Sequence, residues 1–134
     1  MTVISDTQLA NIIFNETRSL SGVDIDKARV NIAHAILNAA ASKHKFPMMA
    51  PATAKPGSGE QAIFGLCCVA VGIARTNIAA GKDPTNGAEH FNFRKNNSQS
   101  DFQGHKIKTS VGPLNNSYPT AELPAIGIYA NTYE

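Results

Sequence analysis

The chain has 134 residues, of which 43% are hydrophobic and 16% are charged, and its formal net charge is +2. This length and composition predict one compact domain spanning residues 1–134, and they exclude a disordered chain. So small a charge, without a run of lysine or arginine, excludes the basic footprint of a nucleic-acid-binding protein, and no nucleic-acid partner is expected.

The N-terminal residues, Met-Thr-Val-Ile-Ser-Asp, have neither the basic start nor the apolar stretch of a signal peptide. The best candidate for a membrane span, residues 62–74, is shorter than the roughly 20 residues that a spanning helix needs. The sequence therefore predicts synthesis in the cytoplasm and no insertion into a membrane.

A first helix is predicted from Ser5, because Gln8 lies three residues further on and the two together form a capping box. Apolar residues then follow at helical spacing: Leu9, Ile12 and Ile13. Glu16 occupies the next position on this stripe. The spacing therefore places a carboxylate on the face that looks into the protein.

A second helix is predicted from Asp24 or Asp26 to about Lys43. Its middle, residues 32–41, is apolar nearly all round, which is typical of a central, buried helix. A loop rich in proline and glycine follows over residues 46–59, and its length is unusual enough in a small domain to suggest function.

A third helix, also mostly apolar, is predicted from about Glu60 to Ala80, with Gly81 as its C-terminal cap. Beyond Ala88 the pattern changes to a short strand around Phe91. A polar stretch with at most brief strands or turns follows over residues 94–124, and residues 125–130 form a last short strand or helix. The expected fold is therefore mainly α with a minor α+β component: three main helices with short strands and long loops.

Cys67 and Cys68 are adjacent, and neighbouring cysteines rarely bridge each other because the geometry is strained. They lie inside an apolar run, so the simplest interpretation is two small core residues. A zinc site would need a second pair of ligands at suitable spacing, and none is seen. No metal and no cofactor are expected.

Three segments carry a resemblance to a known family. Residues 13–18 (Ile-Phe-Asn-Glu-Thr-Arg) precede residues 32–38 (Ile-Ala-His-Ala-Ile-Leu-Asn), and residues 81–88 (Gly-Lys-Asp-Pro-Thr-Asn-Gly-Ala) come shortly before Phe91 and Asn92. In this order they resemble the SleB-like cell wall hydrolases, which include the spore-cortex lytic enzymes. The chain departs from the family pattern at Ala39, where the family has arginine.

The resemblance implies a lysozyme-like helical fold and cleavage of the β-1,4 bond between N-acetylmuramic acid and N-acetylglucosamine in peptidoglycan. Glu16 matches the catalytic glutamate of the family. A carboxyl held against apolar neighbours has a raised pKa, and a general acid needs this to protonate a glycosidic oxygen. The residues alone also allow a simpler interpretation, a helix glutamate that is partly exposed or salt-bridged, with Arg18 or Arg29 nearby.

The mechanism depends on whether Glu16 has a partner. A two-carboxylate hydrolase needs a second acid about 5 to 10 Å from the first. Asp24, Asp26 and Glu60 are candidates, although each has a simpler role at a helix start. A lytic transglycosylase needs only one carboxyl, so the shortage of partners favours that reaction.

Substrate-binding candidates lie in the segment that resembles the family's cleft wall and in the loops. His90, Phe91 and Asn92 belong to the first group, whereas Tyr118 is a possible sugar-contacting aromatic and Glu60 lies at the start of the third helix. The expected partner is the glycan strand of peptidoglycan.

Two further hypotheses remain open. One is a peptidoglycan amidase with Cys67 or Cys68 as nucleophile and His90 or His105 as base. The other is a non-catalytic helical binding module.

A wall enzyme without an export signal would reach the bacterial cell wall by another route. A phage lysin released through a membrane hole and an antibacterial effector injected into the periplasm of a target cell both fit. An injected effector would require an immunity protein in the producing cell.

Overall fold

The computed structural model describes residues 4–20, 25–44, 56–92, 101–102, 105–111 and 129–134. Within these ranges lie three α-helices: α1 (Asp6–Thr17), α2 (Ile25–Ala40) and α3 (Gln61–Ala79), the last preceded by a 3₁₀ turn at Ser58–Glu60. Four strands follow: β1 (His90–Asn92), β2 (Asp101–Phe102), β3 (His105–Val111) and β4 (Tyr129–Tyr133). The prediction of a small, mainly helical domain with short strands is confirmed.

Helix α1 begins where its sequence predicts. The Ser5 hydroxyl accepts a hydrogen bond from the Gln8 amide at 3.1 Å, which satisfies one of the free donors of the first turn. The predicted apolar stripe is buried, with Leu9 and Ile13 fully inaccessible to solvent. Phe14, also fully buried, meets Phe64 of α3 edge to face at 6.0 Å between ring centroids.

Helix α2 is the central element, as its composition predicts. Every residue from Asn31 to Leu37 is buried, and Ala28 and Ile32 belong to the same core cluster. The helix ends at Ala40, a few residues before the predicted end at about Lys43.

An arginine–carboxylate pair joins α1 and α3 at each end, and the positions of the two pairs show that these helices are antiparallel. Arg18 after the last turn of α1 contacts Glu60 at the start of α3, with 2.6 Å between Nη2 and Oε1. At the other end, Arg75 in α3 contacts Asp6 in the first turn of α1, with 2.9 Å between Nε and Oδ1.

Only one face of α3 is buried, the face that carries Cys67, Ala70, Val71 and Ala74. On the opposite face Leu66, Val69 and Ile73 are exposed at 43%, 57% and 45%. Cys67 is thus a core residue as predicted, whereas the same prediction for Cys68 was wrong, because the next position on a helix turns about 100° away from the core.

Among the residues that the structure describes, one helix could cross a membrane by length and composition alone: Ser58–Ala79, with 22 residues and a mean hydropathy of 1.7. The expectation that no segment is long enough was therefore wrong on length. The apolar run 62–74 continues as helix in both directions, as the predicted third helix from about Glu60 to Ala80 already implied.

The strands form an antiparallel sheet in the order β1-β4-β3-β2. His90 lies opposite Asn131, Val111 opposite Ala130, and Asp101 opposite Lys106. Strand β1 confirms the predicted strand around Phe91. Strand β3 has seven residues and is longer than expected, since only brief strands or turns were predicted over residues 94–124.

The sheet is attached to the end of α2. The Asn38 side-chain amide donates to the main-chain oxygen of Ala88 at 2.9 Å, just before β1, and Phe91 packs against the helical core. The His44 ring lies 3.0 Å from the Glu89 carboxylate and 2.6 Å from the main-chain oxygen of Glu134. These bonds hold both β1 and the end of β4 against α2.

Candidate active site

Glu16 is the second-last residue of α1 and is half-buried, as the apolar stripe predicts. Among the described residues, none forms a hydrogen bond or an ion pair with its carboxylate. Burial without a compensating partner penalises the charged form and raises the pKa of Glu16. Because of this raised pKa, Glu16 keeps its proton to a higher pH than an ordinary glutamate does.

Arg18, one of the two arginines that could neutralise Glu16, is engaged elsewhere. Its Nε and Nη2 atoms donate to the two oxygens of Glu60 at 3.0 and 2.6 Å, a two-point bridge. The guanidinium also stacks over the ring of Phe14, with Cζ 5.0 Å from the ring centroid.

Arg29, the second arginine, is buried below the same end of α1. It is 4% exposed, its Nη1 donates to Asp26 at 2.8 Å, and its Nε donates to the hydroxyl of Thr17 at 3.3 Å. The structure therefore does not show Glu16 salt-bridged to Arg18 or Arg29, whereas the other form of the simpler interpretation, a partly exposed helix glutamate, agrees with its intermediate burial.

The candidate second acids are placed as follows. Glu60 uses both oxygens on Arg18 and also accepts from the Gly57 amide at 3.3 Å, so it caps the turn that leads into α3. The Asp26 side chain is 73% exposed and pairs with Arg29. Asp24 lies outside the described residues.

The segment from Asp83 to Ala88 is organised by one carboxylate. Asp83 Oδ1 accepts from the Thr85 amide and hydroxyl at 2.8 and 2.6 Å, and Oδ2 accepts from the Gly87 amide and the Asn38 side chain at 3.0 and 2.8 Å. Gly87 has a φ of +84°, in the left-handed region that favours glycine. Burial raises the pKa of Asp83, but these hydrogen bonds to its charged form outweigh that effect, and the net pKa is lowered.

His34 lies beneath this loop and is fully buried. Its Nε2 is 3.1 Å from the Asn77 side-chain amide, which assigns the ring proton to Nδ1, the atom that lies 3.6 Å from Asp83 Oδ1. Burial lowers the pKa of His34, and the nearby Asp83 opposes this. His34 is thus the hydrogen-bonded core histidine that its position on a buried helix predicts.

Two of the segments that carry the family resemblance therefore meet in space. Asn38, the last residue of the segment 32–38, donates to both Asp83 and Ala88 of the segment 81–88. This single side-chain amide therefore binds two residues that lie 45 and 50 positions further along the chain than Asn38.

The remaining predicted site residues lie in β1 or outside the described residues. His90 and Phe91 are partly buried in β1, and burial lowers the pKa of His90. Asn92 pairs with Tyr129 through the backbone, and Tyr118 lies outside the described residues. The Arg18–Glu60 bridge lies at the same end of α1 as Glu16, and the bonds made by Asn38 and His44 hold β1 against α2.

Cys67 is fully buried beside Thr17 and Arg29. Burial is the main effect on its thiol and raises its pKa, despite the opposing influence of Arg29 and Thr17. Cys68 lies on the exposed face of α3. Of the described residues, no three histidine, cysteine or acidic side chains are grouped so as to hold a metal ion.

Sequence reasoning missed the Arg18–Glu60 bridge, because its partners are 42 positions apart and no spacing rule connects them. Residues 83–87 predict a turn by their proline, asparagine and glycine, but that prediction gives Asp83 no role of its own. The Asp-Pro-Thr pattern is, however, a signal for an aspartate that binds backbone amides two residues on, and it could have identified Asp83 as the anchor of this loop.

Comparisons with protein-family models, with curated proteins and with solved structures gave no match to this chain.

Proposed function

We propose that this chain is a peptidoglycan-degrading glycosidase with a lysozyme-like helical domain, and that Glu16 is its catalytic acid and base. The supporting observation is the half-buried carboxyl of Glu16, which has no hydrogen-bond or ion-pair partner among the described residues, while Arg18 and Arg29 are each paired with another acid. A general acid works best when its pKa lies near the operating pH, and this environment moves Glu16 in that direction.

The reaction that fits one carboxyl is lytic transglycosylation. The protonated Glu16 donates its proton to the glycosidic oxygen as the bond from C1 of N-acetylmuramic acid breaks. The Glu16 carboxylate then removes the proton from the C6 hydroxyl of the same sugar, whose oxygen attacks C1. This closes a 1,6-anhydro ring and returns Glu16 to its protonated form, so no water is consumed.

The placement of the other acids supports the one-carboxylate reaction. Glu60 is bound by Arg18 and by the Gly57 amide, and Asp26 points outward against Arg29. Both acids are therefore held in ion pairs. A nucleophile or base opposite Glu16 would instead be unengaged. A two-carboxylate muramidase remains the alternative that product analysis tests.

The family resemblance supports the substrate class. Two of its three segments meet where Asn38 joins the 81–88 loop to α2. For the glycan strand we propose contacts from His90, Phe91, Asn92, Tyr118 and Glu60. Delivery as a phage lysin or as an injected effector with an immunity protein belongs to the same proposal.

The amidase hypothesis is less well supported. A nucleophilic cysteine needs a lowered pKa and access to substrate, whereas Cys67 is buried with a raised pKa. Cys68 is exposed, but it lies in the middle of α3, away from the helix N-terminus that would activate a thiol.

Mass spectrometry of purified peptidoglycan digested with this protein tests the proposal. We expect muropeptides that end in 1,6-anhydro-muramic acid, with Asp24→Asn and Asp26→Asn as active as the unmodified protein. Reducing muramic ends together with one inactive acid variant would identify a hydrolase. Cleaved peptide stems that disappear on thiol alkylation would identify an amidase, and intact peptidoglycan would leave a binding module.

A further inference from the structure

His44 lies just beyond α2, where this helix meets the strands β1 and β4. Its side chain is only 8% exposed, and the side chain of Glu89, which precedes β1, is 11% exposed. The ring of Tyr133 in β4 meets the His44 ring edge to face, with 6.0 Å between the centroids. Water therefore screens the polar contacts of His44 incompletely.

Both ring nitrogens of His44 face groups that accept hydrogen bonds and cannot donate them. Nδ1 lies 3.0 Å from each oxygen of the Glu89 carboxylate, and Nε2 lies 2.6 Å from the main-chain oxygen of Glu134. A neutral imidazole has one N–H group and donates to only one of these partners, whereas an imidazolium donates to both. The geometry therefore fits the charged form of the ring.

Ser42 provides a second arrangement for the same ring. Its hydroxyl oxygen lies 2.9 Å from His44 Nδ1 and accepts a hydrogen bond from the His44 amide, also at 2.9 Å. When Nδ1 loses its proton, the Ser42 hydroxyl can rotate and donate to it, because a hydroxyl both accepts and donates. The ring then donates nothing to Glu89, while Nε2 keeps its hydrogen bond to Glu134.

We propose that His44 is a pH-sensitive clasp between α2 and β1: the protonated ring holds Glu89 and Glu134 together, and loss of the Nδ1 proton releases Glu89. The clasp is closed at lower pH and opens as the pH rises, because its contribution to stability depends on the histidine proton. Removing one partner from a nearly buried ion pair is destabilising. Deprotonation should therefore loosen β1 from α2 and leave the end of β4 in place.

The other titratable side chains on these elements do not replace the histidine proton. Lys43 after α2, Lys106 in β3 and the Glu134 side chain are exposed. Tyr133 in β4 is buried, and a tyrosine ring is uncharged in the neutral range. His90 in β1 is partly buried, and burial lowers its pKa, which favours its neutral form.

The first test is the protonation of the His44 ring at about pH 7.5, read from the nitrogen-15 shifts of its two nitrogens and assigned by their loss in H44Q. We expect two protonated nitrogens in the unmodified protein and one in E89Q, because an amide can donate to a bare Nδ1. His34 is the internal reference: burial lowers its pKa, so it should show one protonated nitrogen throughout. D6N removes a carboxylate that pairs with Arg75 instead, and it should leave the His44 signals unchanged.

The second test is hydrogen exchange between about pH 7 and about pH 9, expressed as protection factors so that the intrinsic pH dependence of exchange cancels. Protection of the β1 amides should fall about tenfold in the unmodified protein, as expected for losing a hydrogen bond to a charged group, and stay constant in E89Q. The Glu134 amide, which donates to the main-chain oxygen of Lys106 at 3.0 Å, should stay protected in both. A singly protonated His44 ring in the unmodified protein, or an equal loss of β1 protection in both proteins, would overturn the proposal.

Strand β1 carries His90, Phe91 and Asn92, which we propose as glycan contacts, so the consequence for catalysis rests on the function proposed above. Deprotonation of Glu16 lowers wall cleavage in both proteins alike, and the activity of E89Q relative to the unmodified protein should therefore rise with pH. If the unmodified protein cleaves no peptidoglycan while the NMR and exchange results appear as expected, the proposed function fails and the clasp stands.

Discussion

Glu16 and Asp83 are two half-buried carboxylates whose environments act in opposite directions. Burial penalises the charged form of both side chains. Asp83 receives hydrogen bonds from Thr85, Gly87 and Asn38, and its pKa is lowered, whereas Glu16 receives none from the described residues, and its pKa is raised.

The difference shows that burial alone does not decide the direction in which the pKa of an acid moves in this protein. The hydrogen-bond donors that point at the carboxylate decide it, and they separate Asp83 from Glu16. Asp83 is fixed in its ionised form and organises a loop. Glu16 has no such donor among the described residues, and its pKa stays raised.

The largest expected effect is that of Glu16→Gln on wall cleavage. The amide keeps the shape of the side chain but cannot donate a proton to the leaving oxygen, so activity should fall about 100-fold or more. The fold and the melting temperature should change little, because no hydrogen bond from a described residue is lost. The loss of turbidity of purified walls measures this, and retention of more than about a tenth of the activity would exclude Glu16 as the acid.

Asp83→Asn should have its effect on stability. The amide offers one acceptor where the carboxylate offers two, so its NH₂ group faces donors, and we expect a cost of about 2–3 kcal/mol in the free energy of unfolding. Denaturant unfolding measures this. Asp6→Asn is the control, because the Asp6 side chain is 69% exposed and its bridge to Arg75 should contribute less than about 1 kcal/mol. Equal losses in the two variants would contradict a special role for Asp83.

The two carboxylates should also give opposite pH dependences of stability. Folding raises the pKa of Glu16, so its contribution is fully present below the unfolded value of about 4.3 and is lost as the pH rises through the folded pKa. Folding lowers the pKa of Asp83, so its contribution is present above about 3.9 and is lost as the pH falls through the folded pKa.

Denaturant unfolding between about pH 3 and about pH 8 tests these signs. The stability of Glu16→Gln relative to the unmodified protein should grow as the pH rises. The deficit of Asp83→Asn should shrink as the pH falls. Parallel curves for both variants would show that the two environments do not differ as described.

The smallest effects are expected at the cysteines. Cys67→Ser places a hydroxyl in a buried site and should cost about 1 kcal/mol, whereas Cys68→Ser on the exposed face should stay within about 0.5 kcal/mol. Both should keep wall cleavage, measured by turbidity. A folded variant of either kind without activity would favour the amidase.

Local patterns predicted the helices and the inward position of Glu16. The capping serine, the apolar stripe of α1 and the apolar middle of α2 each depend on residues within one or two turns, so they could be recognised in the sequence. The exposed face of α3 could not, because a helix that is apolar all round does not reveal which face its neighbours cover.

The contacts that shape the candidate site depend on distant residues. Glu60 binds Arg18 and Asn38 binds Asp83, and no spacing rule connects either pair. Strand β3 was missed for a similar reason: its polar sequence forms a strand because β4 supplies hydrogen-bonding partners along its length.

The strand order has a consequence for the route by which the chain folds. His90 pairs with Asn131, so β1 acquires its neighbour only after a long loop has closed, whereas each helix forms from contacts within a few residues. We expect pulsed hydrogen exchange to find the amides of α2 protected before those of β1 and β4. The sheet would then be the last region to assemble and the first to open during partial unfolding, while the helical core stays intact.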